Sequence, residues 1–533
     1  MNFTSTRIPY RQTGAFSRIA VDYIDQAKAL RPFYGEPLSL QGLTRAIENR
    51  KLFPGHRELL VQELKKQYEG VESPDKVQRN ITSLLSPDTF TITTAHQNNI
   101  FTGPLYFIYK ILHVIKLANE LNTTLPAYHF VPVFYIGSED ADLEELNHIR
   151  VGGEDLTWLT RQKGAVGRMK LDKAVPELIS RMEGQLAILP FGKEIISLLR
   201  SCYKEGTTLQ EATFHFVNAL FAEFGLLILL PDNPELKRTM LPVFRDELLS
   251  QPAAAIIGKT AVQLEQAGYN VQASARAINL FYLKGDIRNR IEQKGELYRV
   301  VDTDIRFTET EILAELEEHP DRFSPNVILR GLYEETILPN IAFIGGGGET
   351  AYWLQLKELF AHYAVPFPVL ILRNSFLLVE KKWQELIRKL DYTIEDFFRD
   401  ETKLLDGLVE KESPGKTRLN GALAELELLY DAFKKQAAAV DSSLEKHVEA
   451  LKLKTVHRLQ ELEKKMLRAE KRKFSDQQRQ IQAVRKHLFP GNGLQERSDN
   501  ISYYYAKWGP AFLQKLYEAS LTLEQEFVIL QEC

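Results

Sequence analysis

Between residues 86 and 373, short β-branched or aromatic runs alternate with amphipathic stretches of helical length, and this alternation leaves few folds open. Strands joined through helices need crossover connections, which give an α/β core with a mainly parallel sheet. The expected strands are 90–94, 129–136, 226–230, 341–344 and 369–372. Each ends in Gly, Asn, Asp, Pro or charged residues, and in open α/β sheets ligands bind at such carboxyl ends. The first 85 residues read as helices packed around this core.

Beyond about residue 376 the composition turns to Leu, Glu, Lys, Gln and Ala, and strand signals stop. Leu423, Leu426, Tyr430, Phe433, Ala437, Val440 and Leu444 step by threes and fours, which is a heptad seam. Asp441, Ser442 and Ser443 offer caps, so a break is expected there, followed by one long helix over 444–487. Such a helix would reach roughly 65 Å. Its apolar stripe needs an antiparallel partner or a second copy of the chain. The expected division is therefore 1–378 for the α/β core with N-terminal helices and connecting insertions, 379–489 for a helical coiled-coil arm, and 490–533 for a C-terminal segment. That last segment carries Tyr503, Tyr504, Tyr505, Trp508 and Phe512 and should pack back on the core.

A chain of 533 residues with 44% hydrophobic content is too large for a single small binding module and too apolar for a disordered chain. With 67 basic against 71 acidic side chains, no global field exists to hold nucleic acid or an anionic membrane, so an anionic ligand must be met locally. Cys202 and Cys533 form neither a disulfide framework nor a thiolate metal site, and with no apolar leader or spanning run the expected location is the cytoplasm. Gly258-Lys259-Thr260 and Gly415-Lys416-Thr417 resemble the end of a phosphate loop, but Ala253 and Glu410 stand where its first glycine belongs. The bases Lys464, Lys465, Arg468, Lys471, Arg472 and Lys473 are interleaved with Glu461, Glu463 and Glu470, the pattern of a solvated helix face.

Three segments carry chemistry. In the first, TTAHQNNIFTGPLYFIYK over 93–110, a strand ends in a polar loop and Pro104 suits the start of a helix. His96 can serve as acid, base or hydrogen-bonding group, and Lys110 can neutralise a carboxylate or phosphate; alternatively Gln97 and Asn98 merely satisfy a turn. The second, VFYIGSEDADLEELNH over 133–148, delivers Glu139, Asp140 and Asp142 at a strand end, able to hold an ammonium group or Mg²⁺ or, more simply, to favour the next helix start. The third, IAFIGGGGETAYW over 341–353, places four glycines and Glu349 between a strand and a helix, where a ligand or a tight packing contact can come close to the backbone. The first and third should line one cleft at a topological switch point.

Taken together with FSPNVILRGLYEETILPN, KRK and LFPGNGLQER, these segments resemble, in order and over nearly the whole chain, the BshC family of bacillithiol biosynthesis. The resemblance implies a Rossmann-like core with connecting insertions, a coiled-coil domain that makes a homodimer, and a ligase joining L-cysteine to glucosaminyl-malate. Amide formation from a free carboxylate is uphill, so ATP or ADP, with Mg possible, is the expected cofactor, although no HxGH or KMSKS motif is present. The family usually has TGQQ where this chain has Ala95-His96-Gln97-Asn98 and EDHD where it has Glu139-Asp140-Ala141-Asp142. The candidate catalytic residues are His96, Glu139, Asp140 and Asp142. Substrate-binding candidates are Thr94, Gln97, Asn98, Gly103, Tyr106, Lys110, Gly346, Gly347, Glu349, Tyr352 and Trp353, with Glu139 and Asp140 expected to hold amines and the glycine loop to hold carboxylates or phosphates. Gln495, Glu496 and Arg497 are candidate nucleotide contacts, and no metal ligands are expected. Two other classes fit the residues: a non-catalytic coiled-coil dimer whose body binds a nucleotide or sugar, and a Mg-dependent hydrolase.

Overall fold

The computed structural model describes residues 2–413 and 419–533, so Gly415-Lys416-Thr417 lies outside the described residues. The chain divides into two compact units, one of residues 1–377 with 495–531 and 533, the other of residues 378–494 with 532.

The first unit is built on a five-stranded sheet of β1 (Thr89–Gln97), β2 (His129–Gly137), β3 (Leu227–Leu229), β4 (Asn340–Gly345) and β5 (Val369–Leu372), in the order β5-β4-β1-β2-β3. Every neighbouring pair runs parallel. The chain lays down β1, β2 and β3 in one direction and then returns to place β4 on the other side of β1. The switch point therefore lies between β1 and β4, where a crevice opens at the carboxyl ends. Helix α1 (Tyr106–Thr124) makes the crossover from β1 to β2 and is apolar almost all round because the sheet and the returning C-terminal segment both cover it. Its Val114, Leu117, Ala118 and Leu121 meet Phe90, Ile92, Phe130, Ile341 and Ile371 from the sheet in one buried cluster.

Strand β1 looks polar in sequence yet is buried. Thr91 and Thr93 donate to the Asn340 Oδ1 on β4 at 3.2 and 2.9 Å, and Asn340 in turn donates to the buried Glu335 at 2.6 Å. Three further helices matter for the site: α2 (Pro234–Arg238), α3 (Val327–Ile337) and α4 (Gly347–Trp353). Between α2 and α3 the chain inserts a second sheet, five-stranded and antiparallel where paired consecutively, over 280–325. The N-terminal region is not purely helical, because Phe3–Pro9 is a strand that pairs with the C-terminal strand Glu526–Glu532. The C-terminal segment is tied to the core by Asn500, whose side chain donates to the Phe101 and Gly103 carbonyls at 2.9 and 2.6 Å.

In the second unit, α5 (Asn420–Val440) and α6 (Leu444–Lys471) form a hairpin whose break falls at Asp441. The Tyr430 and Thr455 hydroxyls meet at 2.8 Å across it, flanked by the Lys434–Glu449 and Lys452–Asp431 ion pairs. The long helix expected over 444–487 is interrupted: a 3₁₀ turn over Arg472–Phe474 separates α6 from α7 (Ser475–Leu488). No residue of α6 is buried, and Leu451, Leu453 and Leu462 remain 41, 65 and 44% exposed. The basic run is paired locally, Lys464 with Glu461 and Lys473 with Glu470, as befits a solvated face. Among the described residues no helix is long and apolar enough to cross a membrane.

Candidate functional site

A cleft of about 330 Å³ opens at the β1/β4 switch point. Its walls are His96 and Gln97 from the end of β1, Tyr106 and Lys110 from α1, Gly346, Gly347, Glu349 and Tyr352 from the β4–α4 turn, and Arg497 from the returning C-terminal segment. Sequence reasoning singled out all of these. Gly348 of the same glycine run lines it too, and sequence reasoning missed Glu145, Arg330 on α3 and Arg373 just after β5. Arg330 and Arg373 carried a usable signal, since each flanks an apolar run at a strand or helix end, but a lone arginine in such a place is too common to stand out.

Lys110 is buried, donates to the Ala95 carbonyl at 2.8 Å and forms an ion pair with Glu349. Burial pulls its pKa below the ordinary lysine value, and Glu349 works against that fall. Glu349 also accepts the Gly346 N–H at 2.8 Å, so the first amide of the glycine loop is satisfied from within the protein. The Arg373 guanidinium sits 5.0 Å from the Tyr106 ring centre and pairs with the buried Glu496 at 2.7 Å. Burial carries the Tyr106 hydroxyl up to about 12. Arg330 stands outside the ion pairs of the described residues; burial opposes its charge, but Tyr352 and Asp140 keep its pKa above the ordinary value. Four cations therefore face two carboxylates, Glu145 and Glu349, and the cleft is suited to an anionic ligand.

Several expected site residues do other work. Thr94 is fully buried and donates to the Ile344 carbonyl at 2.7 Å, stitching β1 to β4. Trp353 points into the core, stacked 4.4 Å from Phe343. Gly103 has φ +63°, and a Cβ there would meet Asn99 at 2.7 Å, so its place is conformational. Asn98 is buried away from the cleft lining, with neither amide atom hydrogen-bonded. Gln495 and Glu496 are wholly buried, Glu496 serving Arg373 and the Phe376 N–H.

The acidic strand end is the largest correction. Glu139 forms an ion pair with the buried Lys237 of α2, which also holds Asp232 at 3.0 Å, and Arg168 closes on Asp232 at 2.5 Å. A buried carboxylate requires a cation, and here the protein itself supplies one in Lys237. Burial raises the Glu139 pKa, whereas Asp232, which burial alone would also raise, is held at about 2 by Lys237 and Arg168. Asp140 accepts from the Gln97 amide at 2.8 Å; burial would raise its pKa, but that bond with Arg330 and Arg288 brings it below the usual value. Asp142 is exposed and caps a short helix by accepting the Glu145 N–H at 3.2 Å.

The family descriptions Bacillithiol biosynthesis BshC, N-terminal Rossmann-like domain, and Bacillithiol biosynthesis BshC, C-terminal coiled-coil domain, match residues 1–374 and 376–532. The chain belongs to the BshC family. Among its relatives, a protein of Flavobacterium psychrophilum named "Putative cysteine ligase BshC" is 38% identical over 98% of this chain and 99% of its own length. Proteins of the same name from Flavobacterium johnsoniae and Salinibacter ruber are 37 and 32% identical, covering 98 and 97% of this chain and 99 and 96% of theirs. The parallel sheet with its switch-point cleft is the BshC Rossmann-like domain, and the α5–α6 hairpin belongs to the BshC coiled coil.

Proposed function

We propose that this chain is a ligase that joins the carboxyl of L-cysteine to the amine of glucosaminyl-malate, completing bacillithiol. The observation that carries this reading is the cleft itself, where Arg330, in no ion pair of the described residues and opposed only at longer range by Asp140, stands beside Lys110, Arg373 and Arg497. A malate-bearing substrate brings two carboxylates, and planar guanidinium groups are suited to bind such groups bidentately. The family description, bacillithiol biosynthesis, and the relatives' name, cysteine ligase, support this reading.

ATP is the proposed source of driving force, since the amide does not form spontaneously from a free carboxylate. Arg497 is the residue suited to its phosphates. Among the described residues no group of three or more His, Cys, Asp or Glu side chains is placed to hold a metal ion, so Mg²⁺ would arrive on the nucleotide. The half-exposed leucines of α6 support a homodimer formed through the arm, and sedimentation of the intact protein tests that association. Incubation with cysteine, glucosaminyl-malate and ATP, followed by mass spectrometry, tests the reaction. The expected product is the condensed thiol; ATP hydrolysis alone, or binding without turnover, contradicts the ligase reading.

A further inference from the structure

Among the described residues His96 is the one imidazole lining the cleft. It stands at the carboxyl end of β1, its ring edge-on to Tyr106 and Phe107 at 5.1 and 5.5 Å, and its Nε2 is buried with no hydrogen-bond partner. A buried polar atom left without a partner is costly, so its place in a cleft wall suggests that a ligand supplies the missing partner. The charged groups facing the ring are Lys110 from α1, Arg330 from α3 and Arg373 after β5, while Glu349 on α4 is engaged with Lys110. The Asn99 side chain lies close enough to favour the protonated ring, against burial and the three cations.

We propose that His96 accepts the proton of the attacking amine, and that it becomes basic enough to do so only when an anionic part of the substrate is seated among Lys110, Arg330 and Arg373. This rests on the ligase reading above. In the step, an N–H bond of the substrate ammonium breaks and its proton passes to Nε2. The freed nitrogen lone pair forms the C–N bond with the carboxyl carbon of cysteine, activated as a mixed carboxylic–phosphoric anhydride, as the C–O bond to the phosphoryl leaving group breaks, and the second N–H proton leaves with the departing phosphate as the amide forms. Burial and the three cations hold the His96 pKa well below the ordinary imidazole value, so the ring is neutral in the free protein. Carboxylates bound to the same cations cancel much of their field at the ring, which couples basicity to substrate binding.

The test is a nitrogen-15 imidazole titration by NMR on the intact protein, with and without saturating malate, His96 being assigned through His96→Gln. His96 should titrate well below the ordinary imidazole range without malate and at least about one pH unit higher with it. An ordinary titration near 6.5 without ligand, or no shift once malate binding is established by calorimetry, overturns the proposal. In turnover, His96→Gln should lower kcat about 100-fold and leave KM for glucosaminyl-malate within about threefold. Unchanged kcat overturns the proton role. Absence of amide product from the unmodified protein would instead strike the ligase reading, which the malate-linked titration does not need.

Discussion

Two clusters of charge sit at the carboxyl end of the same parallel sheet, and they are built on opposite terms. Around Lys237 the charges close on each other: Glu139, Asp232 and Arg168 pair within a buried network on α2 and the ends of β2 and β3. Around the β1/β4 cleft the pairing is incomplete, with Lys110 held by Glu349 and Arg373 by Glu496 but Arg330 left over. A network satisfied from within stabilises the strand ends and offers nothing to a ligand. One with surplus charge at an open wall stays available, because water and ligands can still reach it.

The comparison is broken most forcefully by removing the cation of the closed cluster. Lys237→Met should leave Glu139 and Asp232 buried without their partner and destabilise the fold by about 3–5 kcal/mol in denaturant unfolding. A loss below about 1 kcal/mol would mean the cluster is wetter than its burial indicates.

Next in size is an acid effect on the same cluster. Asp232 has its folded pKa depressed to about 2 from 3.8, so its stabilisation is present above the unfolded value and lost as pH falls from about 4 to about 2. The shift corresponds to about 2.5 kcal/mol at about 1.4 kcal/mol per unit. Asp232→Asn should flatten the fall in stability across that window, and an unchanged slope would contradict the pairing. The smallest effect belongs to the arm, where Lys452 pairs at 2.9 Å with the exposed Asp431. Screening leaves such a pair little to contribute, so Lys452→Ala should leave the unfolding midpoint unchanged within error.

The difference between the clusters also marks how far the sequence was legible. The five parallel strands, the helix break at Asp441 and the convergence of the His96 loop with the glycine loop follow from local patterns, because strand ends and caps are written in neighbouring residues. The role of Glu139 was not legible, since its partner lies 98 residues away on α2 and no spacing rule connects them. Arg330 and Arg373 were missed for the same reason: what matters is the absence or presence of a partner, which only the assembled fold decides. The terminal strands Phe3–Pro9 and Glu526–Glu532 escaped because each pairs with the opposite end of the chain. The turn at Arg472–Phe474 has no Gly or Pro to announce it.

The central claim is that the surplus cations of the cleft, and not the acidic strand end, meet the substrate. Calorimetric titration of glucosaminyl-malate into the unmodified protein, Arg330→Ala and Glu139→Gln tests it directly, with circular dichroism confirming that each variant is folded. The account predicts at least about a tenfold loss of affinity for Arg330→Ala and a change within about twofold for Glu139→Gln. Loss of binding in folded Glu139→Gln, with Arg330→Ala binding as before, would contradict it.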